Sequence, residues 1–272
     1  MRIARFGILG ALVFGAIGCQ TDDGGPTSRN LPPLAFVRYI NAVPDTFNLT
    51  VRFIDQVALV PQTFANVPYR SQGQGGFQGV EAGTQRFRVF TYDPALGVGG
   101  AGAGTEMLAD TSFNFVAGQY YTLLHAGFAR AGQLPAQRVR IIEHVLPAVN
   151  TNLSVRAMHA GTGLAAGVTT VDLTVGGTAL GTGVAFGGAA AAYGSRAVGV
   201  FTADFVQAGT ATVLASGSPV VGDTASSSGT AIAGSTIRGS VFSAVLFGPS
   251  VPGSRAAAAA TASIGWFVDR QP

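Results

Sequence analysis

The chain nearly repeats itself, and this repeat limits what it can fold into more than any other feature. VRYINA at Val37–Ala42 returns as VRAMHA at Val155–Ala160, and NLTV at Asn48–Val51 returns as DLTV at Asp172–Val175. VFTYD at Val89–Asp93 returns as VFTAD at Val200–Asp204, and GQYYTLLHAG at Gly118–Gly127 as GSVFSAVLFG at Gly239–Gly248. The four offsets are 118, 124, 111 and 121 residues, in the same order along the chain. A period of that length marks a duplicated domain, because solenoid repeats are much shorter.

The repeated segments read as strands. In FNLTVRF, Phe47, Leu49, Val51 and Phe53 share one face while Asn48, Thr50 and Arg52 share the other, the period of two of a half-buried strand. SFNFV (Ser112–Val116) alternates likewise, and Tyr120, Tyr121, Leu123 and Leu124 form a nearly continuous apolar run. No stretch combines helical periodicity with caps over three turns. The best helix candidate, Ala256–Ala260, runs into IGWFVDRQP, which pairs in the repeat with IIEHVLP (Ile141–Pro147) and reads as a closing strand. Glycine, at 39 of 272 residues, is about twice its usual share, and charged residues are only 11%. Many short strands joined by turns make an all-β chain, two tandem antiparallel β-sandwich domains over residues 35–149 and 150–272. They are expected to separate near Leu146–Asn152.

The N-terminus has a different character. Arg2 and Arg5 precede the apolar run FGILGALVFGAIG, which is too short to span a bilayer as a helix and has the layout of a secretory leader. Ala16-Ile17-Gly18-Cys19 resembles a bacterial lipobox, with Ala16 where leucine is common. The expectation is a signal peptide over 1–18, lipid attachment at Cys19, and a Gly/Pro-rich tether over 19–34. Gln20 is not the aspartate that favours inner-membrane retention, which points to the outer membrane or cell surface. All 16 basic side chains are arginines, against 13 carboxylates, so losing the leader's two leaves a net charge of +1. No basic patch with interleaved aromatics remains, so nucleic acid is not an expected partner. Once Cys19 is acylated the chain has no thiol for disulfides, metal binding or catalysis.

The pattern V-R-x-x-[N/H]-A, then [N/D]-L-T-V, then a Gly-led aromatic or aliphatic strand, resembles domain-of-unknown-function family 4397. The resemblance covers about residues 35–147 and 150–272. It implies Ig-like surface or secreted domains, often duplicated and often lipid-anchored, with no established activity. The family's usual His-Ala-Ser-Pro-Asp is replaced by NAVPD (Asn41–Asp45) in the first copy and HAGTG (His159–Gly163) in the second.

Motifs for chemistry are sparse. GVGGAGAG (Gly97–Gly104) contains a formal G-x-G-x-x-G, but a strand-like segment follows where a dinucleotide site needs a helix, so it reads as a loop. His125, His144 and His159 align with Leu246, Asp269 and Asn41 in the other copy, and no H-E-x-x-H or G-x-S-x-G occurs. No metal, cofactor or catalytic residue is therefore expected. Asn48-Leu49-Thr50 matches a glycosylation acceptor but lies within a strand, and the serines of Ala215–Gly229 read as a solvated loop. Arg38 and Arg156 share one place in the repeat. Each could bind an anion, but a structural pairing with Asp45, Asp172 or a turn carbonyl is the preferred reading. The functional expectation is a lipid-anchored envelope protein that binds envelope proteins or glycans without catalysis. Binding would run through the loops Asp93–Glu106 and Gly217–Gly229 or through a sheet edge. The rivals are a structural spacer and a hydrolase with a site between the domains.

Overall fold

The computed structural model describes residues 32–55, 63–92, 104–224, 231–251, 256 and 258–272. The signal, Cys19 and the tether as far as Leu31 lie outside the described residues, as do loop residues 93–103 and 225–230.

The alternating segments become strands. In the first half these are β1 (Leu34–Ala42), β2 (Leu49–Phe53), β3 (Thr63–Val67), β4 (Ser71–Gln72) and β5 (Gln78–Glu81). There follow β6 (Gly83–Tyr92), β7 (Gly104–Phe115), β8 (Tyr120–Ala126) and β9 (Arg138–His144). The second half has β10 (Leu153–Ala160), β11 (Thr170–Val175), β12 (Thr178–Ala185), β13 (Gly194–Arg196), β14 (Ala203–Gln207), β15 (Val213–Gly217), β16 (Val241–Phe247) and β17 (Ser263–Arg270). Each half has two sheets. The first half has orders β4-β1-β8-β9, with β5 also on β1, and β3-β2-β6-β7. The second has β13-β10-β16-β17 and β12-β11-β14-β15, with the same order of central strands and with β13 lying on the stretch of β10 that corresponds to the part of β1 paired with β5. The fold is all-β. Pairing is antiparallel except for β1 with β8 and β10 with β16, which run parallel. These two pairs join segments far apart in sequence, so no hairpin forces them antiparallel.

The facing residues of each pair of sheets close a core. Leu49, Val51 and Phe53 meet Val37, Tyr39, Phe87, Phe115 and Leu123 in the first half. Leu173, Phe205, Val155, Phe242 and Leu246 do so in the second. A third cluster draws equally on both halves: Ile40, Ala42, Leu124, Ala126 and Ile142 against Met158, Ala160, Val245, Phe247 and Phe267. β1 and β10 are thus buried on both faces, one toward their own core and one toward the other half. Residues Pro32–Pro272 accordingly form one compact unit.

Register settles three of the four repeat matches. Arg38 stands opposite Thr122 on β8, and Arg156 opposite Ser243 on β16. The VFTYD match is out of step. Val89 pairs with Val51, whereas position 175, the counterpart of Val51, follows Thr174, which pairs with Asp204. The structural counterpart of Val89 is therefore Ala203, three residues on from the Val200 of the matched string. Val89 is buried, while Val200 is 74% exposed.

The glycines that frame the repeated GQYYTLLHAG have physical causes. Gly118 and Gly239 both take φ near +78° (77° and 78°), which side chains rarely adopt. At the other end, a Cβ on Gly248 would stand 1.7 Å from the carbonyl oxygen of Thr162. Gly248→Ala should therefore cost about 1–3 kcal/mol through forced backbone displacement. A urea melt indistinguishable from the parent would refute that close approach.

Candidate functional site

The seam between the halves holds a connected set of buried polar groups. Arg38 projects from β1 on the face away from its own core and is fully buried. Its Nε donates to Thr122 Oγ1 (2.8 Å) and its NH2 to Ser243 Oγ (2.8 Å). Its NH1 lies 2.7 Å from Asp269 Oδ1, both side chains being fully enclosed. His144 Nε2 lies 2.7 Å from Thr122 Oγ1, and His144 Nδ1 lies 2.7 Å from the Tyr193 hydroxyl. Tyr193 donates to Asp269 Oδ2 (2.7 Å), and Ser243 also donates to Asp269 (2.7 Å).

One proton assignment satisfies the whole ring. Arg38 donates to Thr122, Thr122 donates to His144 Nε2, His144 Nδ1–H donates to Tyr193, and Tyr193 donates to Asp269. Burial pushes His144 down to about 2, and the charges of Arg38 and Arg156 push the same way. His144 is thus neutral, and its 3.8 Å approach to Asp269 is not an ion pair. Burial, with the Asp269 charge, raises the Tyr193 hydroxyl far above its usual value. The net charge enclosed is zero, and every member has a partner. The seam is a lock, and its groups are spent on one another.

The repeated arginines have diverged. Arg156 is half-buried and donates to the carbonyls of Ala190 (2.8 Å) and Glu143 (2.6 Å). The carbonyl reading holds for Arg156, while Arg38 pairs with Asp269. Neither expected carboxylate is involved. Asp45 accepts the backbone N–H groups of Ala129 (2.8 Å) and Arg130 (3.0 Å), pinning the turn after β8. Asp172 accepts the N–H of Gly183 (2.6 Å).

The other two histidines are also buried. His125 Nδ1 meets the Tyr39 hydroxyl (2.9 Å) and its Nε2 meets Gln137. His159 Nδ1 accepts the N–H of Gly161 (3.2 Å). Burial lowers both rings to about 4. Among the described residues, no three His, Cys, Asp or Glu side chains gather as a metal site. No helix of the described residues is long and apolar enough to cross a membrane.

Beside the lock lies an open cleft of about 630 Å³ lined by Phe36, Phe77, Tyr120, Gln72, Arg270 and Gln271. Phe36 stacks on Tyr120 (4.8 Å between centroids), and Phe77 meets Tyr120 edge-on (5.2 Å). Phe77 also covers the Arg38 guanidinium, 4.5 Å from its ring centroid, so cleft and lock share a wall. Sequence reasoning missed this cleft. Its one legible signal was the pair of half-buried rings Phe36 and Tyr120, which face away from the core in strands whose neighbours face in. Of the loops expected to bind, Gly104–Glu106 opens β7, and Asp223 and Ile232 close the second by an antiparallel bridge.

The fold and seam define an all-β protein of two sandwiches locked through a shared face. Residues 35–166 match the model of the family described as Domain of unknown function (DUF4397). The resemblance read from the sequence holds over that span, which runs past residue 149 to take in β10. No curated protein matches the chain. Among solved structures, it is similar to a Parabacteroides distasonis ATCC 8503 protein described as "Putative cell adhesion protein". Identity is 11% over 86% of this chain and 99% of that one, with a TM-score of 0.23. A leucine-rich repeat protein from Bacteroides thetaiotaomicron VPI-5482 is similar at 17% identity and a TM-score of 0.21, over 68% of this chain and 24% of that one.

Proposed function

We propose that this is a lipid-anchored envelope protein, held at the outer membrane or cell surface through Cys19, that binds a glycan without catalysis. Its two sandwich halves are residues 35–149 and 150–272. The observation that carries the reading is the seam cleft, where Phe36, Phe77 and Tyr120 stand beside Gln72, Arg270 and Gln271. The negative faces of aromatic rings attract the polarised C–H faces of sugars, and side-chain amides and a guanidinium suit hydroxyl groups. A concave, partly apolar site with a few convergent polar groups is the usual form of a small-ligand site. The histidines and the Arg38–Asp269 pair are turned inward, which supports binding over acid–base work.

Calorimetry of the detergent-extracted protein against soluble peptidoglycan fragments tests this. Gln72→Ala and Phe36→Ala are expected to weaken binding at least tenfold with little change in melting. Absence of binding to any envelope glycan would remove the reading. A second reading, addition of a partner strand, is favoured by β7, an edge strand of 12 residues whose sheet neighbour is β6. The anchor has its own test: mass spectrometry should find an N-terminus at Cys19 carrying fatty acyl chains, and Cys19→Ser should abolish them.

A further inference from the structure

A second cavity, of about 340 Å³, opens at another part of the seam. Phe128, Leu134 and Pro135 of the first half face His159, Thr162, Leu164, Val168 and Phe186 of the second. Among the described residues, no charged side chain lines it. Leu134 stands 81% exposed on its wall, an apolar side chain that a ligand would cover. Two polar side chains line the same space and are almost fully enclosed, His159 and Thr162, each 1% exposed. Among the described residues, His159 Nε2 and Thr162 Oγ1 have no hydrogen-bond partner.

The other half shows what is missing. Asn41 occupies the place of His159. Its Oδ1 accepts the N–H two residues on, at Val43 (3.0 Å), just as His159 Nδ1 accepts the N–H of Gly161 (3.2 Å). Asn41 then spends its remaining donor, Nδ2, on the backbone carbonyl of Val67 (3.0 Å). Because Nδ1 is an acceptor, the neutral His159 ring carries its proton on Nε2. In the second half the corresponding donor has no acceptor among the described residues, and its side chain borders the cavity. A buried donor left unmade costs about 1–3 kcal/mol, which a ligand oxygen can recover.

We infer that this cavity binds a small uncharged carbonyl compound, its oxygen on His159 Nε2–H and the Thr162 hydroxyl, its apolar body against Phe128, Leu164, Val168 and Phe186. An apolar wall with two enclosed, unpartnered polar groups suits such a molecule, and the lack of any charge among the described lining residues disfavours an ionic one. The site shares no lining residue with the aromatic cleft, so it stands or falls independently of the proposed glycan binding.

Acetophenone and ethylbenzene, alike in shape but differing in the carbonyl, separate this from simple apolar filling. Titrated into the isotope-labelled full-length protein, acetophenone should shift the His159 ring resonances and bind at least tenfold more tightly than ethylbenzene. Equal affinities, or shifts that leave His159 untouched, would overturn the assignment. His159→Asn restores the residue of the first half and keeps the Gly161 contact, but its shorter amide cannot place a donor where Nε2 stands. The preference for acetophenone should fall to about one in that variant, and a preference that survived would overturn the role of His159. If the variant does not fold, the two titrations of the parent protein still decide.

Discussion

Asp269→Ala is expected to destabilise the full-length protein by about 3–5 kcal/mol, the loss typical of breaking a buried ion pair from one side. The substitution leaves the Arg38 guanidinium enclosed without its carboxylate and removes the acceptor of Tyr193 and Ser243. Guanidinium melts should show a lower midpoint with an unchanged slope. Arg156→Ala makes the contrast. Its half-exposed guanidinium serves two carbonyls, so the cost should be nearer 1 kcal/mol. Arg38→Met combined with Asp269→Leu should be milder than Asp269→Ala, since no charge is then stranded. If Asp269→Ala melted within 1 kcal/mol of the parent, the lock would not hold the halves together.

The second large effect is acid lability. Unfolded histidine titrates near 6.5, but burial holds folded His125 and His159 at about 4 and, with the charges of Arg38 and Arg156, His144 at about 2. As pH falls through 6.5, the unfolded chain takes up three protons that the native chain refuses, so stability drops. Three such groups steepen the slope toward about 4 kcal/mol per pH unit between pH 6 and 4. Full stability is present above about pH 7. Denaturant midpoints measured at half-unit intervals from pH 7.5 to 4 check this, and a flat profile would mean that the rings are hydrated and free to charge.

Strands were legible because alternation is a local signal, as Leu49, Val51 and Phe53 show. The double burial of β1 was also written locally, since VRYINA places Val37 and Tyr39 on one face and Ile40 and Ala42 on the other. The partner of Arg38 was not. Arg38 and Asp269 lie at opposite ends of the chain, and nothing local says which sheet face meets the other half. The VFTYD match misled because four shared letters in five outweighed facing, which only the ladder reveals. The cavity at His159 rests on a difference between equivalent positions that became visible only when Asn41 was seen to have a carbonyl within reach.

The third cluster is built from equivalent positions: Ile40 with Met158, Ala42 with Ala160, Leu124 with Val245, Ala126 with Phe247 and Ile142 with Phe267. Each half thus offers the same patch to the other, which is the rule of an isologous homodimer. Two identical chains meeting this way must carry the same residue on both sides, so His144 would face another histidine, or Asp269 another aspartate. Covalent fusion lifts that obligation. Once both patches belong to one gene, one can keep the acid and the other the imidazole, and a single charge pair can sit where symmetry would demand two or none.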